Sequence, residues 1–323
     1  MLDHQARPDH SYGETSEVFG ELARLAPIID ATRFVASAAL LHSEEIGWAW
    51  NHIVLSRLMS VQEGSDISTQ GRLLRWYSPL YKAKVPVDVL EPTRTLDGYK
   101  VVFAPNLYLI NPDVVSNLTH YVRQGGTLIV GPKAALKDWN NVFFTDIPPC
   151  GGLAEVLGTT VKTSPYRLGR APMSRKSVTM QSDAPWASGE TYASLALFDN
   201  LEPTGAVVLA RHETGDAAVT MNPFGAGCAV YLGCEPEERF YRAMIEWLIR
   251  DRKLEPALRT DADVEVTLRA GGGHRLIFVL NHHAEPEEIA LDKPYRELIW
   301  DRQVSGKLVI AGQSACILYE PSA

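Results

Sequence analysis

The chain has 323 residues, of which 46% are hydrophobic and 22% are charged, a composition typical of a folded globular protein rather than a disordered or fibrous one. At about 100–200 residues per domain, this length predicts two or three domains. The 31 basic and 39 acidic residues give a net charge of −8, which argues against a nucleic-acid partner because the phosphates would be repelled.

The sequence carries no signal for a membrane or for secretion. No apolar run reaches the roughly 18 residues that a bilayer-spanning helix needs, and the polar start MLDHQARPDH lacks the apolar core of a secretion signal. The cysteines Cys150, Cys228, Cys234 and Cys316 are too few for a disulfide framework in a chain this long. We therefore expect reduced thiols, a cytoplasmic protein and no membrane partner.

The N-terminal segment predicts one amphipathic helix after a polar loop. Ser16 is a suitable N-cap, and Pro27 lies near the expected end of the helix. Val18, Leu22 and Leu25 recur at helical spacing and form one apolar stripe. A lone helix must bury such a stripe against a larger body.

Residues 35–135 alternate between buried strands and helices. Asn111 and Pro112 are the cap and first-turn residues of one helix, which Gly125 and Gly126 should end. Alternation of this kind predicts a parallel sheet covered on both faces, in a doubly wound α/β domain of the flavodoxin-like or class I glutamine amidotransferase-like type. The predicted strands are 35–41, 85–90, 100–105 and 127–131, and the predicted helices are 69–84 and 111–124.

The remaining part of the chain, nearly three fifths of its length, changes pattern twice. Residues 136–235 predict a short helix at 153–158 and three antiparallel strands, with a long excursion over 164–192. A strong helix follows at 235–254. From about residue 260, short alternating strands at roughly ten-residue spacing predict a small antiparallel β-sandwich.

The loop expected at residues 41–52 is the segment most typical of a binding site. Carboxylates beside indoles could bind a sugar by hydrogen bonding and ring stacking, so Glu45, Trp48 and Trp50 are candidate substrate-binding residues. The alternative, which we favour, is that both tryptophans pack in a core or at a subunit interface. The polar neighbours in this loop are His42, Glu44 and His52.

Nucleophilic catalysis has one weak candidate. Cys150 precedes a short helix whose amides could lower a thiol pKa, but no histidine is near it in sequence, and a structural role is favoured. Cys228 is expected to face the core. The bend after the fourth strand reads GPKAALKD and holds neither cysteine nor serine.

Metal and nucleotide sites are not predicted. His282 and His283 are adjacent and would point to opposite faces of a strand, and His42 and His52 are too far apart for a helical pair. The glycine run before His274 connects two strands rather than a strand and a helix, unlike a phosphate-binding loop. We expect no metal and no cofactor.

Long ordered runs of the chain nevertheless resemble one family. LLRWYSPLYKAKVPVDVLEP, and then LDGYKVVFAPNLYLINPDVVSNLTHYVRQGGTLIVGPKAALKDWNNVF, are similar to the trimerisation domain of glycoside hydrolase family 42, the β-galactosidases. The likeness continues through FYRAMIEWLIRDRKLEP and VEVTLRAGGGHRLIFVLNHH. One departure is that Glu45 is followed by Ile46 and Gly47, where the family tends to have an acidic–Asn pair before the Trp.

The resemblance implies a division of the chain and an absence of chemistry. Residues 1–34 would be a remnant of the loop and helix that end the catalytic barrel, with the helix at 16–26, residues 35–255 the trimerisation-like domain, and residues 256–323 the β-sandwich. The family's acid/base and nucleophile glutamates lie on an N-terminal barrel of about 250 residues. Only a handful of residues precede the first matching motif, so no catalytic residue is carried over.

The leading hypothesis is therefore a non-catalytic assembly module that forms a homo-oligomer, a trimer by resemblance. One alternative is a component of a split β-galactosidase, completed by a separate TIM-barrel chain. Others are a carbohydrate-binding module that takes a galactoside on Trp48 and Trp50, and a hydrolase that depends on Cys150.

Overall fold

A computed structural model of the protein describes residues 5–57, 66–162 and 176–321. Contacts divide the chain into two compact units, which are residues 36–255 and the combination of residues 1–35 with 256–323. Both ends of the chain thus belong to one unit. No helix within the described stretches is long and apolar enough to cross a membrane.

Helices and strands follow one another along the described residues. The helices are α1 (His10–Ile29), α2 (Glu44–Arg57), α3 (Thr69–Lys82), α4 (Pro112–Arg123), α5 (Leu153–Leu157) and α6 (Glu238–Asp251). The strands are β1 (Arg33–Phe34), β2 (Ala38–Leu41), β3 (Val87–Leu90), β4 (Val101–Ala104), β5 (Leu109–Ile110), β6 (Thr127–Val130), β7 (Lys137–Asp138), β8 (Thr159–Val161), β9 (Lys176–Met180), β10 (Thr191–Ala196), β11 (Leu201–Pro203), β12 (Val207–His212), β13 (Ala217–Phe224), β14 (Gly227–Leu232), β15 (Glu235–Pro236), β16 (Glu265–Gly271), β17 (His274–Asn281), β18 (Glu287–Glu297), β19 (Arg302–Ile310) and β20 (Ser314–Pro321).

A parallel layer forms the centre of the unit 36–255. Its strands lie in the order β14-β6-β4-β2-β3, and each neighbouring pair is parallel. All four residues of β2, β4 and β6 are buried, because helices cover both faces of the layer. The predicted α/β class is confirmed.

Alternate residues of each parallel strand serve two separate cores. Leu40 and Phe103 face the core that α3 and α6 cover, together with Trp76 and Phe240. Leu41 and its neighbours on the other face pack under α4 and α5. This period of two follows from the pleat of a strand.

Antiparallel strands extend the parallel layer into a 12-stranded sheet of the described residues. Strands β12, β13 and β14 are the three antiparallel strands predicted from the sequence, and they pair as β12–β13 and β13–β14. The expected excursion over 164–192 is wrong in its second half, because residues 176–180 and 191–196 pair as β9 and β10 within the sheet. Its first half lies outside the described residues.

Helix α1 is longer than the sequence predicts. It begins after Asp9, whose carboxylate accepts a hydrogen bond from the Ser11 backbone amide, so the cap is Asp9 and not Ser16. Pro27 lies inside the helix, which continues to Ile29. The helix therefore ends about half a turn later than the sequence predicts.

The apolar stripe of α1 is only partly covered. Leu25 is buried in a small core with Leu276, Leu298 and Ile317 of the C-terminal strands. Arg24 fastens the same end of the helix by donating hydrogen bonds to the carbonyl oxygens of Leu298 and Ile299. Toward its N-terminus, however, the helix exposes Tyr12, Val18, Phe19 and Leu22.

The C-terminal residues form one six-stranded antiparallel sheet in the order β1-β16-β17-β20-β18-β19. The short strand β1 from the N-terminal segment adds itself to the edge through Arg33 and Phe34. The buried side chains of this sheet include Val266, Ile289 and Leu318. Buried and less buried residues alternate along its strands, as the sequence predicts for this part. The glycine run before His274 is the turn between β16 and β17, as predicted.

Candidate functional site

Ligands of open α/β sheets bind outside the carboxyl ends of the strands, at the point where the strand order reverses. Here that point lies between β2 and β4, because β3 is added on one side of β2 while β4, β6 and β14 are added on the other. The chain leaves these two strands at His42 and Pro105. A ligand site of this kind of sheet would therefore lie in this crevice.

The crevice is filled by the guanidinium of Arg72, which projects from α3 and is fully buried. Its Nε donates to the Glu235 carboxylate at 2.9 Å and its Nη1 donates to Asn106 Oδ1 at 2.9 Å. Its Nη2 donates to the carbonyl oxygens of Pro105 and Pro132. One side chain thus connects the segments that follow β4 and β6 with β15.

Glu235 is as completely buried as Arg72, and both of its oxygens are occupied. Oε2 accepts hydrogen bonds from the Tyr241 hydroxyl at 2.7 Å and from the Trp76 indole at 3.3 Å. Burial and the neighbouring carboxylate raise the pKa of Tyr241 well above its usual value. The carboxylate is therefore fully buried and engaged in structural hydrogen bonds.

A second buried ion pair closes the bend after β6. Lys133 has a φ of 65°, a left-handed conformation that is rare outside glycine. Its Nζ lies 2.5 Å from the Asp199 carboxylate, whose other oxygen accepts from the Tyr231 hydroxyl at 2.9 Å. Gly131 begins the bend, and a Cβ there would lie 2.4 Å from the Pro105 carbonyl oxygen. The bend is a tight turn occupied by an ion-paired lysine, with no nucleophile on it.

The predicted loop 41–52 is in fact mostly helix, because α2 begins at Glu44. Trp50 is fully buried: its indole donates to the Ile67 carbonyl oxygen at 2.7 Å and its ring lies 5.0 Å from the Arg72 guanidinium. It therefore presents no ring face to a sugar. Trp48, two residues earlier, is 67% exposed.

The polar residues at the start of α2 pair with one another. His42 Nε2 lies 3.2 Å from Glu44, and the Ser43 hydroxyl donates to Glu45 at 2.7 Å. The hydrogen bond from Ser43 lowers the pKa of Glu45. Glu44, Trp48 and His52 are exposed at spacings of four residues, so they share one outer face of the helix.

Cys150 is buried, and its environment is the opposite of that of a reactive thiol. Burial and the nearby Asp146 raise its pKa to about 11. At pH 8 the thiolate is then roughly one part in a thousand. We expect iodoacetamide to leave Cys150 unmodified for hours in the folded protein at pH 8 and to modify it within minutes in 8 M urea, as measured by mass spectrometry of the peptide. Fast labelling without urea would contradict this environment.

Histidines and acids do not assemble into a metal site anywhere in the described stretches. His282 and His283 follow β17 rather than lying on it, and each pairs with its own carboxylate, Glu265 at 2.7 Å and Asp263 at 3.0 Å. The two imidazoles thus have separate partners.

Comparison with known proteins assigns the family. Residues 36–255 match the model of the β-galactosidase trimerisation domain, and residues 263–318 match that of the β-galactosidase C-terminal domain. The chain belongs to glycoside hydrolase family 42. The predicted resemblance is thereby confirmed.

Full-length relatives extend well beyond the matched part. The β-galactosidase BgaA of Planococcus sp. (strain 'SOS Orange') is 29% identical over 334 residues, which cover 98% of this chain and 46% of that protein. BgaH of Haloferax lucentense is 29% identical over 286 residues, covering 86% and 38%. The crystal structure of the β-galactosidase from Bacillus circulans sp. alkalophilus has a TM-score of 0.85 at 25% identity, covering 99% and 46%. This family-42 chain therefore spans about half the length of these relatives.

Proposed function

We propose that this family-42 chain is a non-catalytic assembly module that forms a homotrimer. Two observations support the proposal. The larger unit matches a trimerisation domain, and the crevice where an α/β sheet would hold a ligand is filled by the buried Arg72–Glu235 pair. We also infer a cytoplasmic location, which the buried free thiols of all four cysteines support.

We further infer that the parallel layer is of the flavodoxin-like type, related to class I glutamine amidotransferases. In chain order its strands are β2, β3, β4, β6 and β14, and across the sheet the second strand lies outside the first. This spatial order, 2-1-3-4-5, is that of flavodoxin-like sheets. The tight bend at Lys133 lies where a nucleophile would be expected in such an amidotransferase.

The partner of the exposed face of α1 follows from the length of the relatives. Tyr12, Val18, Phe19 and Leu22 form an uncovered apolar face at the start of the matched region, and Phe19 is 64% exposed. More than half of each relative lies outside the match. We infer that this face packs against the N-terminal, barrel-bearing half of a family-42 β-galactosidase, on the same or on a separate polypeptide.

Reconstitution tests both parts of the proposal. The chain alone should elute with a mass near three times 35.7 kDa and should not hydrolyse a chromogenic galactoside. Mixed with a separately produced barrel half, it should form a complex and restore turnover. Phe19→Asp should weaken that complex at least tenfold, because a carboxylate would be buried in an apolar contact.

A matched control comes from strand β19 of the same unit. Val309 is also exposed, so Val309→Asp should leave complex formation unchanged. A strictly monomeric chain would overturn the assembly role. Hydrolysis by the purified chain alone would overturn the non-catalytic assignment.

Trp48 marks a proposed contact between copies of the chain. Its indole is 67% exposed, and tryptophan is enriched at subunit interfaces. Trp48→Ala should shift the trimer toward monomer on dilution, as followed by light scattering. Trp300→Ala removes an equally exposed indole from the other unit and should have no such effect.

The same variants distinguish a carbohydrate-binding role, which the exposed indole beside Glu45 also favours. In that case galactose would quench tryptophan fluorescence in a saturable manner. Trp48→Ala would abolish the quenching while the mass stayed unchanged. A titration without a saturable signal would eliminate this second candidate.

A further inference from the structure

A cavity of about 400 Å³ lies at the amino-terminal edge of the parallel layer, at the opposite ends of the strands from Arg72. It is bounded by three short segments: the turn before β4, the turn between α4 and β6, and the residues that follow α6. These segments are residues 96–100, 124–127 and 251–253. None of the site residues described above borders it.

Three cations from two of these segments line this cavity, namely Lys100, Arg252 and Lys253. None of the three has an ion pair with another described residue. The Arg252 guanidinium lies over the Trp247 ring, 5.2 Å from its centroid, and its Nε is buried without a hydrogen-bond partner among the described residues. Buried donors of this kind normally have an acceptor.

The acids at the cavity do not balance these charges. Asp251 is bound to Arg250, whose Nη2 lies 2.8 Å from its carboxylate. Asp97 is then the remaining anion against three cations. In a protein whose net charge is −8, this is a local excess of positive charge.

The helix ends nearby do not account for all three cations. Lysine and arginine side chains often bond to the last carbonyl groups of a helix. In α4, however, the carbonyl oxygens of His120, Tyr121, Val122 and Arg123 all accept main-chain amides. Lys100, which lies beside that end, is therefore not needed as their donor.

We propose that this cavity binds a small phosphate-bearing molecule. A phosphate group offers the guanidinium of Arg252 two acceptor oxygens and leaves others for the two ammonium groups, and a volume of about 400 Å³ is that of a small-molecule site. The site lies at the edge of the layer opposite the filled crevice and shares no residue with it.

Calorimetric titration of the whole chain with inorganic phosphate, at constant ionic strength set with sodium chloride, tests the proposal. Binding should be saturable, at least tenfold weaker in Arg252→Gln and several-fold weaker in Lys100→Gln. Arg94→Gln makes the same change of charge at an exposed position outside the cavity and should bind phosphate like the parent.

Lys100→Gln is included because Lys100 is exposed and the variant should fold normally, whereas Arg252 also packs on Trp247. Equal weakening in Arg94→Gln, or none in either cavity variant, would show an adventitious ion only and would overturn the site. Malonate, a dicarboxylate of similar size, should bind more weakly. Malonate binding as tightly as phosphate would overturn the assignment to phosphate.

Discussion

Glu235→Ala is expected to lower the free energy of unfolding by about 3–5 kcal/mol, because it leaves the guanidinium of Arg72 buried without its carboxylate. The variant also removes the acceptor of the Tyr241 hydroxyl. Urea unfolding, followed by tryptophan fluorescence, measures the loss. Since this is a large part of the 5–15 kcal/mol typical of a domain, we expect partial unfolding at 37 °C.

Two further variants distinguish the effect of leaving a charge buried and unpaired from the effect of losing any carboxylate. Arg72→Met combined with Glu235→Leu should recover most of the loss, because no uncompensated charge remains in the core. Glu238→Ala removes a carboxylate that pairs with Lys82 at the surface, and should cost less than about 1 kcal/mol. Equal losses in Glu235→Ala and Glu238→Ala would contradict the role assigned to burial.

Alkaline pH is expected to unfold the protein, with the loss beginning at pH 9. Burial raises the pKa of Cys234 and Cys316 from 9 to about 12, and it raises the pKa of Tyr231 and Tyr241 well above 10. Each group stays protonated when folded and ionises when unfolded. Its contribution is therefore complete below its unfolded pKa and declines above it, by about 1.4 kcal/mol for each pH unit.

The summed slope is steep, so the free energy of unfolding should be level from pH 7 to 9 and should fall toward zero by pH 12. Tyr241→Phe should make the decline above pH 10 shallower by about 1.4 kcal/mol for each pH unit, even though the variant is less stable at pH 7. Tyr12→Phe changes an exposed ring and serves as the control. A free energy that stayed level to pH 11.5 would refute the expectation.

Local signals account for the parts of the fold that could be predicted. Helix α4 begins at Pro112, its cap Asn111 accepts a hydrogen bond from the Val114 amide, and it ends just before Gly125. All of these features lie within three or four residues of the helix ends, where sequence carries the information. The central strands β2, β4 and β6 were equally predictable, because strands that are buried on both faces are continuous apolar runs.

Helix α2 was missed because its sequence lacks a clear apolar stripe. Gly47 lies in its first turn, and acids, tryptophans and histidines are distributed around it. Once the segment is helical, Trp48 and Trp50 are about 200° apart, since each residue turns the helix by about 100°. One indole must then face outward and the other inward. As long as the segment was expected to be a loop, nothing predicted that Trp48 and Trp50 would point in opposite directions.

The filled crevice could not be predicted from the sequence. Arg72 and Glu235 are 163 residues apart, and Lys133 and Asp199 are 66 apart. Neither pair has a local spacing that marks it, and a single arginine in a helix is ordinarily a solvent-exposed residue. Their roles depend on which strands become neighbours, and only the assembled sheet decides that.

The addition of α1 and β1 to the C-terminal strands also constrains the order of events during synthesis. Arg24 must wait for Leu298, 274 residues further along the chain, which takes about 14–55 s at bacterial or eukaryotic elongation rates of 5–20 residues per second. Until Leu276 and Leu298 are synthesised, Leu25 lacks its docking surface on the nascent polypeptide, whereas residues 36–255 are all synthesised before them. The larger unit is thus free to fold first, and the smaller one closes only after its C-terminal strands have been synthesised.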